Sequence, residues 1–197
     1  MADFNKVMNT IWEVEHNSNP KKILHKNPTE RKFTFYGVYP HTKLKSYRKI
    51  EQAFLRTRGN LKRASLILSK DKKLYQEVLY FYYKNFWKPL GLDRVRNTTV
   101  AKELMIFAVN IGLGTDWRGI NRQKYMVKCV QELVGATPDG ILGEKTAYRI
   151  NLMTPYETEV FSKKFDQCEI SFYKNLVFAS KRLRIYLRGW KNRARYV

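Results

Sequence analysis

Glu15 is the first residue of this chain whose setting suggests chemistry. Residues 3–15, Asp-Phe-Asn-Lys-Val-Met-Asn-Thr-Ile-Trp-Glu-Val-Glu, have helical periodicity, with Asp3 as N-cap and Phe4, Val7, Met8, Ile11 and Trp12 on one side. At about 100° per residue, Glu15 falls within roughly 20° of the middle of that apolar stripe, and Glu13 falls on the opposite face. A carboxyl at the inner end of a core-facing stripe is expected to lose hydration and keep its proton near neutrality. That is the requirement for a general acid. The competing reading is a helix-end glutamate that turns out to solvent.

A second carboxylate follows at Glu30, the one other acid between residues 16 and 50, in a long polar connection that ends at Thr34. Cleavage of a glycosidic bond with inversion needs a protonated acid and a second group that places a water, with the two carboxyls roughly 6.5–9.5 Å apart; retention holds them at about 5–5.5 Å. Glu15 as acid, Glu30 as second carboxylate and Thr34 as water-positioning hydroxyl make a workable set. Glu30 could equally neutralise Lys26, Arg31 and Lys32 on a solvated loop. Tyr36, Phe86, Trp87 and Trp117 are the aromatic side chains suited to stacking on sugar rings, although most aromatics at helical spacing belong to a core. Asn110, after Phe-Ala-Val and before a glycine, is placed either to donate to an N-acetyl carbonyl or to cap its own helix. Asp139 opens the loop Asp-Gly-Ile-Leu-Gly-Glu-Lys-Thr, which reads as a glycan contact or as a purely structural turn.

These residues need a scaffold, and the pattern is mainly α. Residues 16–34 read as a loop, and Phe33 to Tyr39 as a short strand-like run broken at Gly37 and Pro40. Helices are expected over 47–58, 60–69, 71–87, 98–111, 120–134, 144–152 and about 155–187, the last increasingly basic. Residues 1–97 would form a catalytic region that includes the 16–40 loop. Residues 98–197 would form a helical region with a basic C-terminal helix, the two making one compact unit.

The charge is the compositional outlier. Across 197 residues, 38 Lys and Arg against 17 Asp and Glu give a net charge of +21, which favours a polyanionic partner. Hydrophobic content of 44% suffices for a folded core and excludes a disordered polycation. Cys129 and Cys168 lack metal-ligand spacing and sit in apolar helical contexts, so two buried free thiols are expected, with a single disulfide as the alternative. The three histidines lack ligand partners, and no cofactor or metal is expected. There is no Sec-type signal and no stretch approaching ~18 apolar residues, so cytoplasmic synthesis without a membrane span is expected.

In order along the chain, these motifs resemble glycoside hydrolase family 108, lysozyme-like muramidases with a predicted peptidoglycan-binding C-terminal region. Glu15-His16-Asn17 stands where the family has Glu-Gly-Gly, and Thr34-Phe35-Tyr36-Gly37-Val38 is similar to its Thr-x-x-Gly-Ile. Tyr82-Tyr83-Lys84-Asn85-Phe86-Trp87 resembles an aromatic helix end. Phe107–Gly112, Asp139–Thr146 and Gly189-Trp190 each match a family motif. Asn27-Pro28-Thr29-Glu30-Arg31-Lys32 departs from the family's Asp-Pro-x-Asp-x-Gly-Gly loop, and both glycines after Glu15 are missing.

The resemblance implies a lysozyme-like helical fold and an N-acetylmuramidase of phage endolysin type. Glu15 would be the general acid, and Thr34 the cleft threonine. The enzyme would reach periplasm or cell wall by holin-type release or another export route. Its partner would be peptidoglycan and it would act as a monomer. The basic C-terminal helix adds an anionic membrane or lipopolysaccharide as a further expected partner, with no obligate nucleic acid. Two other readings stay open: a catalytically impaired lysozyme-like structural protein, and a basic helical nucleic-acid-binding protein.

Overall fold

The computed structural model describes residues 1–26, 32–39 and 44–196, which form a mainly helical protein with one small two-stranded sheet. Glu30 lies outside the described residues. Two compact units are present, one of residues Met8–Asn85 and one that joins Met1–Val7 to the chain from Phe86 onward.

The unit of Met8–Asn85 contains most of helix α1 (Phe4–His16), strands β1 (Leu24–His25) and β2 (Thr34–Phe35), and helices α2 (Tyr47–Arg56), α3 (Leu61–Leu68) and α4 (Lys72–Tyr82). Asp3 caps α1 as its sequence predicts, accepting from the backbone N–H groups of Asn5 and Lys6 at 2.9 and 3.2 Å. Asn60 and Asp71 cap α3 and α4 by accepting from Arg63 and Leu74, each at 3.0 Å. The strands are antiparallel, Leu24 facing Phe35 and His25 facing Thr34. β1 therefore corrects the reading of 16–34 as uninterrupted loop. Two residues are too short to show alternation, and the backbone of Leu24 is fixed from outside by the Ser65 hydroxyl at 3.2 Å. Met8, Ile11, Ile23, Leu24, Phe35, Ile50, Leu74 and Val78 are buried and make this unit's core.

The other unit packs α5 (Thr98–Ile111), α6 (Arg122–Leu133), α7 (Glu144–Leu152), α8 (Pro155–Ala179) and α9 (Leu187–Ala194). The bounds of α5 and α7 coincide with the periodicity. α8 starts with a capping box, the Thr154 hydroxyl accepting from Glu157 N–H while the Glu157 carboxylate accepts from Thr154 N–H. The expected helix over 155–187 is not continuous. Ser180 is extended at φ −145° and ψ 100°, a 3₁₀ turn covers Lys181–Tyr186, and α9 packs back on α8 and α5. The run Lys-Arg-Leu-Arg holds neither proline nor glycine, so no local breaker marks this bend in the sequence.

Cys129 on α6 and Cys168 on α8 form a disulfide, with Cα atoms 6.5 Å apart. This corrects the expectation of free thiols: each cysteine does lie on an apolar helix face, but the two faces meet. The bond spans a sequence separation of 39 residues, so the loop-closure entropy it removes from the unfolded chain corresponds to about 4 kcal/mol. The double variant Cys129→Ser/Cys168→Ser should lose stability of that order in urea unfolding. Equal midpoints for oxidised wild type and variant would show that the cross-link contributes nothing.

Candidate functional site

α1 ends in a left-handed turn that sets the direction of Glu15. The N–H of Asn17 donates to Glu13 C=O at 2.8 Å, the last α-type bond of the helix, and that of Ser18 reaches back six residues to Trp12 C=O at 3.1 Å, closing a wide turn. Asn17 and Ser18 have φ of 53° and 49°, so this terminus holds left-handed backbone where the resemblance leads one to expect glycine nearby. Asparagine tolerates that region better than most residues.

Opposite Glu15 stands the turn that closes β2. Phe35 and Val38 exchange both backbone hydrogen bonds, at 3.0 and 2.9 Å, around the two residues Tyr36 and Gly37. Both central φ values are positive, 46° and 75°, which makes a type I′ turn. Gly37 is required for a second reason. A Cβ there would lie 2.6 Å from the Tyr82 hydroxyl oxygen and 3.6 Å from Oε2 of Glu15. The Glu15 carboxylate therefore sits against the hairpin tip, half-buried, at the spot that sequence periodicity assigned to the core. The buried side chain at this helix end is instead its neighbour His16.

Aromatic rings surround the turn. The Tyr82 hydroxyl donates to Tyr36 C=O at 2.8 Å, and Trp12 Nε1–H donates to the Tyr75 hydroxyl at 3.0 Å. Tyr36 lies 4.9 Å from Trp12, 5.2 Å from His16 and 5.6 Å from Tyr75 between ring centroids. Burial, helped by the neighbouring Tyr75, pushes the Tyr36 hydroxyl up to about 12, so it stays a neutral hydrogen-bond donor. His16 stacks on Trp12 at 5.8 Å, and burial lowers its imidazole below the ordinary value, so the ring is neutral at pH 7. Thr34 is buried on β2, two residues before Tyr36. Thus Glu15, Thr34 and Tyr36 are carried by one helix end and one hairpin of the same unit.

His16, Tyr75 and Tyr82 were missed by sequence reasoning. The available signals were the i, i+4 pair Trp12/His16 and the i, i+7 pair Tyr75/Tyr82, which put rings on single faces of α1 and α4.

The same unit has a groove of about 1000 Å³ along α4, lined by Lys45, Lys72, Lys73 and Lys84 with Tyr80 and Phe81; Glu15 is not among its lining residues.

The remaining residues proposed for sugar contact are held otherwise. Trp87 is 1% exposed, meets Phe4 edge-on at 5.2 Å and donates through Nε1–H to Asp93 at 2.9 Å, so its ring is core and offers no face for stacking. The side-chain amide of Asn110 donates to the Tyr173 hydroxyl at 2.5 Å and accepts from Arg193 at 2.9 Å, a structural link between α5, α8 and α9. Asp139 accepts from Gln131 at 2.7 Å and from its own loop at Ile141 N–H, 2.8 Å, so it shapes the turn that precedes α7. Within the described residues these five hydrogen bonds and one ring contact account for Trp87, Asn110 and Asp139 without a ligand. Of the other aromatics, Trp117 is exposed.

A second titratable cluster lies inside the larger unit. Glu103 of α5 and Glu169 of α8 are 1% and 0% exposed, with half-buried Asp166 one turn before Glu169. Ser162 donates to Glu103, and the Tyr173 hydroxyl donates to Glu169. Burial is the main cause that raises Glu103 and Glu169 to about 8 and Asp166 to about 6, and neighbouring carboxylates reinforce it for the two glutamates. Burial raises Tyr173 as well. Arg193 and Arg195 oppose these shifts without cancelling them. Oε2 of Glu169 and Oδ1 of Asp166 have no hydrogen-bond partner among the described residues. No three His, Cys, Asp or Glu among the described residues are arranged to hold a metal ion.

Residues 125–195, from α6 to the end of α9, match the family described as Predicted Peptidoglycan domain. No curated protein matches this sequence. Among solved structures, SagA of Brucella abortus is similar, with a TM-score of 0.52 and 19% identity over 97% of this chain and 92% of that one. At that identity the likeness concerns the fold. The chain therefore carries a stretch matched by a peptidoglycan-domain family, within a mainly helical fold similar to that of SagA.

Proposed function

We propose that the protein is a peptidoglycan hydrolase, an N-acetylmuramidase that cleaves the β-1,4 bond between N-acetylmuramic acid and N-acetylglucosamine. The observation that carries this reading is the half-buried Glu15 carboxylate at a helix end, set against the Tyr36–Gly37 turn. Glu15 protonates the departing glycosidic oxygen, while the hairpin that bears Thr34 orients the sugar and the attacking water. Glu30 is the candidate second carboxylate. Tyr36, kept protonated, supplies a hydroxyl donor beside the cut bond. The peptidoglycan-domain match over residues 125–195 supports wall polymer as the substrate class. The charge of +21 suits a wall rich in carboxylates and phosphates. In this reading the enzyme acts as a monomer in periplasm or cell wall after release from its site of synthesis, as a phage lysis enzyme does.

The decisive experiment identifies the chemical end produced. Purified sacculi are digested, and the soluble fragments are reduced with borohydride and analysed by mass spectrometry. New reduced muramic acid ends are expected. Reduced glucosamine ends would change the bond assigned, and free peptides without glycan scission would replace the glycosidase by a peptidase or amidase.

A further inference from the structure

Where α8 gives way to α9, large apolar side chains stand in solvent among cations. Phe178 is 91% exposed, Ile185 78% and Tyr186 49%. Lys181, Arg182, Arg184 and Arg188 in the same stretch are exposed too. Residues 170–197 contain 8 Lys and Arg and no Asp or Glu. An apolar side chain exposed singly is ordinary, as at Leu55 and Tyr156; here three stand within nine residues of one another in a stretch whose charges are all positive, and that grouping is what sets the bend apart.

The bend is built and not frayed. Ser180 N–H donates to Leu176 C=O at 2.9 Å, and Leu183 N–H to Ser180 C=O at 3.0 Å. Tyr186 stacks on Trp190 at 5.7 Å, and Trp190 on the buried Tyr173 at 5.1 Å, so an aromatic column ties the bend to the interior. Ala194 is buried and Arg193 is bonded to Asn110, which fixes the far end of α9. The exposed apolar groups are therefore presented by an anchored frame. No described helix is long and apolar enough to cross a membrane.

We propose that this bend is a docking surface for an anionic phospholipid bilayer, which it engages from the side without spanning it. Phe178 and Ile185 enter the boundary between headgroups and acyl chains, while Lys181, Arg182, Arg184 and Arg188 neutralise lipid phosphates. The charge complementarity selects an anionic bilayer over a neutral one, and the bare apolar groups select a lipid over a purely hydrophilic polyanion. The inference is independent of the proposed glycan cleavage.

Its test is co-sedimentation of the full chain with vesicles of phosphatidylglycerol and phosphatidylcholine, and with phosphatidylcholine alone. Binding to the anionic vesicles only is expected. Phe178→Ser/Ile185→Ser should weaken that binding by about tenfold or more while circular dichroism is unchanged. Each cation of the four changed to glutamine should weaken it by about fivefold. Glu15→Gln should bind vesicles as wild type does, and the Phe178/Ile185 double variant should still release muropeptides from sacculi, so lipid docking and glycan cleavage succeed or fail separately. Equal binding to neutral vesicles would overturn the proposal. So would a double variant that sediments like wild type, which would reduce the bend to a general polyanion surface that also takes DNA. Binding to lipopolysaccharide but not to phospholipid vesicles would overturn it as well.

Discussion

Glu15→Gln is expected to lower the rate of muropeptide release by about 10²–10⁴-fold, the usual contribution of a positioned general acid, while sedimentation with sacculi stays within twofold of wild type. The amide keeps the volume and planarity of the side chain against the Gly37 turn, and Gly37 leaves it space because it has no Cβ. What is lost is the proton that accompanies departure of the glycosidic oxygen. A transition-state interaction removed in this way lowers kcat and kcat/KM together and leaves ground-state binding in place. Glu13→Gln, on the exposed face of the same helix, is the matched control and should be neutral. Release by Glu15→Gln at the wild-type rate would remove this residue from the chemistry.

The second large effect concerns pH and stability. Glu103 and Glu169 have folded pKa values raised to about 8 and Asp166 to about 6, all above the ordinary carboxylate range. Between the ordinary and the raised values the folded chain binds more protons than the unfolded chain, so stability falls as pH rises across that window. The contribution is fully present below about pH 4.5 and lost as pH passes through about 8. One glutamate shifted this far corresponds to on the order of 5 kcal/mol. His16 works in the opposite direction, because its lowered pKa gives stability that increases with pH, but that gain is complete near its ordinary value of 6.5. From pH 7 to 9 the carboxylates alone set the slope. Urea unfolding should therefore show wild type several kcal/mol less stable at pH 9 than at pH 6. Glu169→Gln should flatten the decline and be the more stable protein at pH 9. A wild-type stability that is level from pH 6 to 9, or identical slopes in both proteins, would contradict this account.

Sequence periodicity located α5 and α7 to the residue because both are bounded by local signals: Asn97 and Gly112 for one, Gly143 and Pro155 for the other. It placed Glu15 at a helix end and Thr34 and Tyr36 beside a glycine turn because those features are also local. It failed where partners come from afar. β1 is fixed by β2 and Ser65, and the disulfide by the meeting of α6 and α8. Trp87 and Asn110 looked like ligand residues on account of their chemistry, and only tertiary neighbours reveal that their polar groups are already used. The rule applied to Glu15, a carboxylate on an apolar stripe, describes Glu103 better, since it falls beside Val100, Leu104 and Phe107 and is enclosed while Glu15 is half open.

The stack Tyr186–Trp190–Tyr173 runs from the cationic bend to the hydroxyl that bonds Glu169. A charge on Glu169 would therefore stand one hydrogen bond and two ring contacts away from the bend that closes the chain.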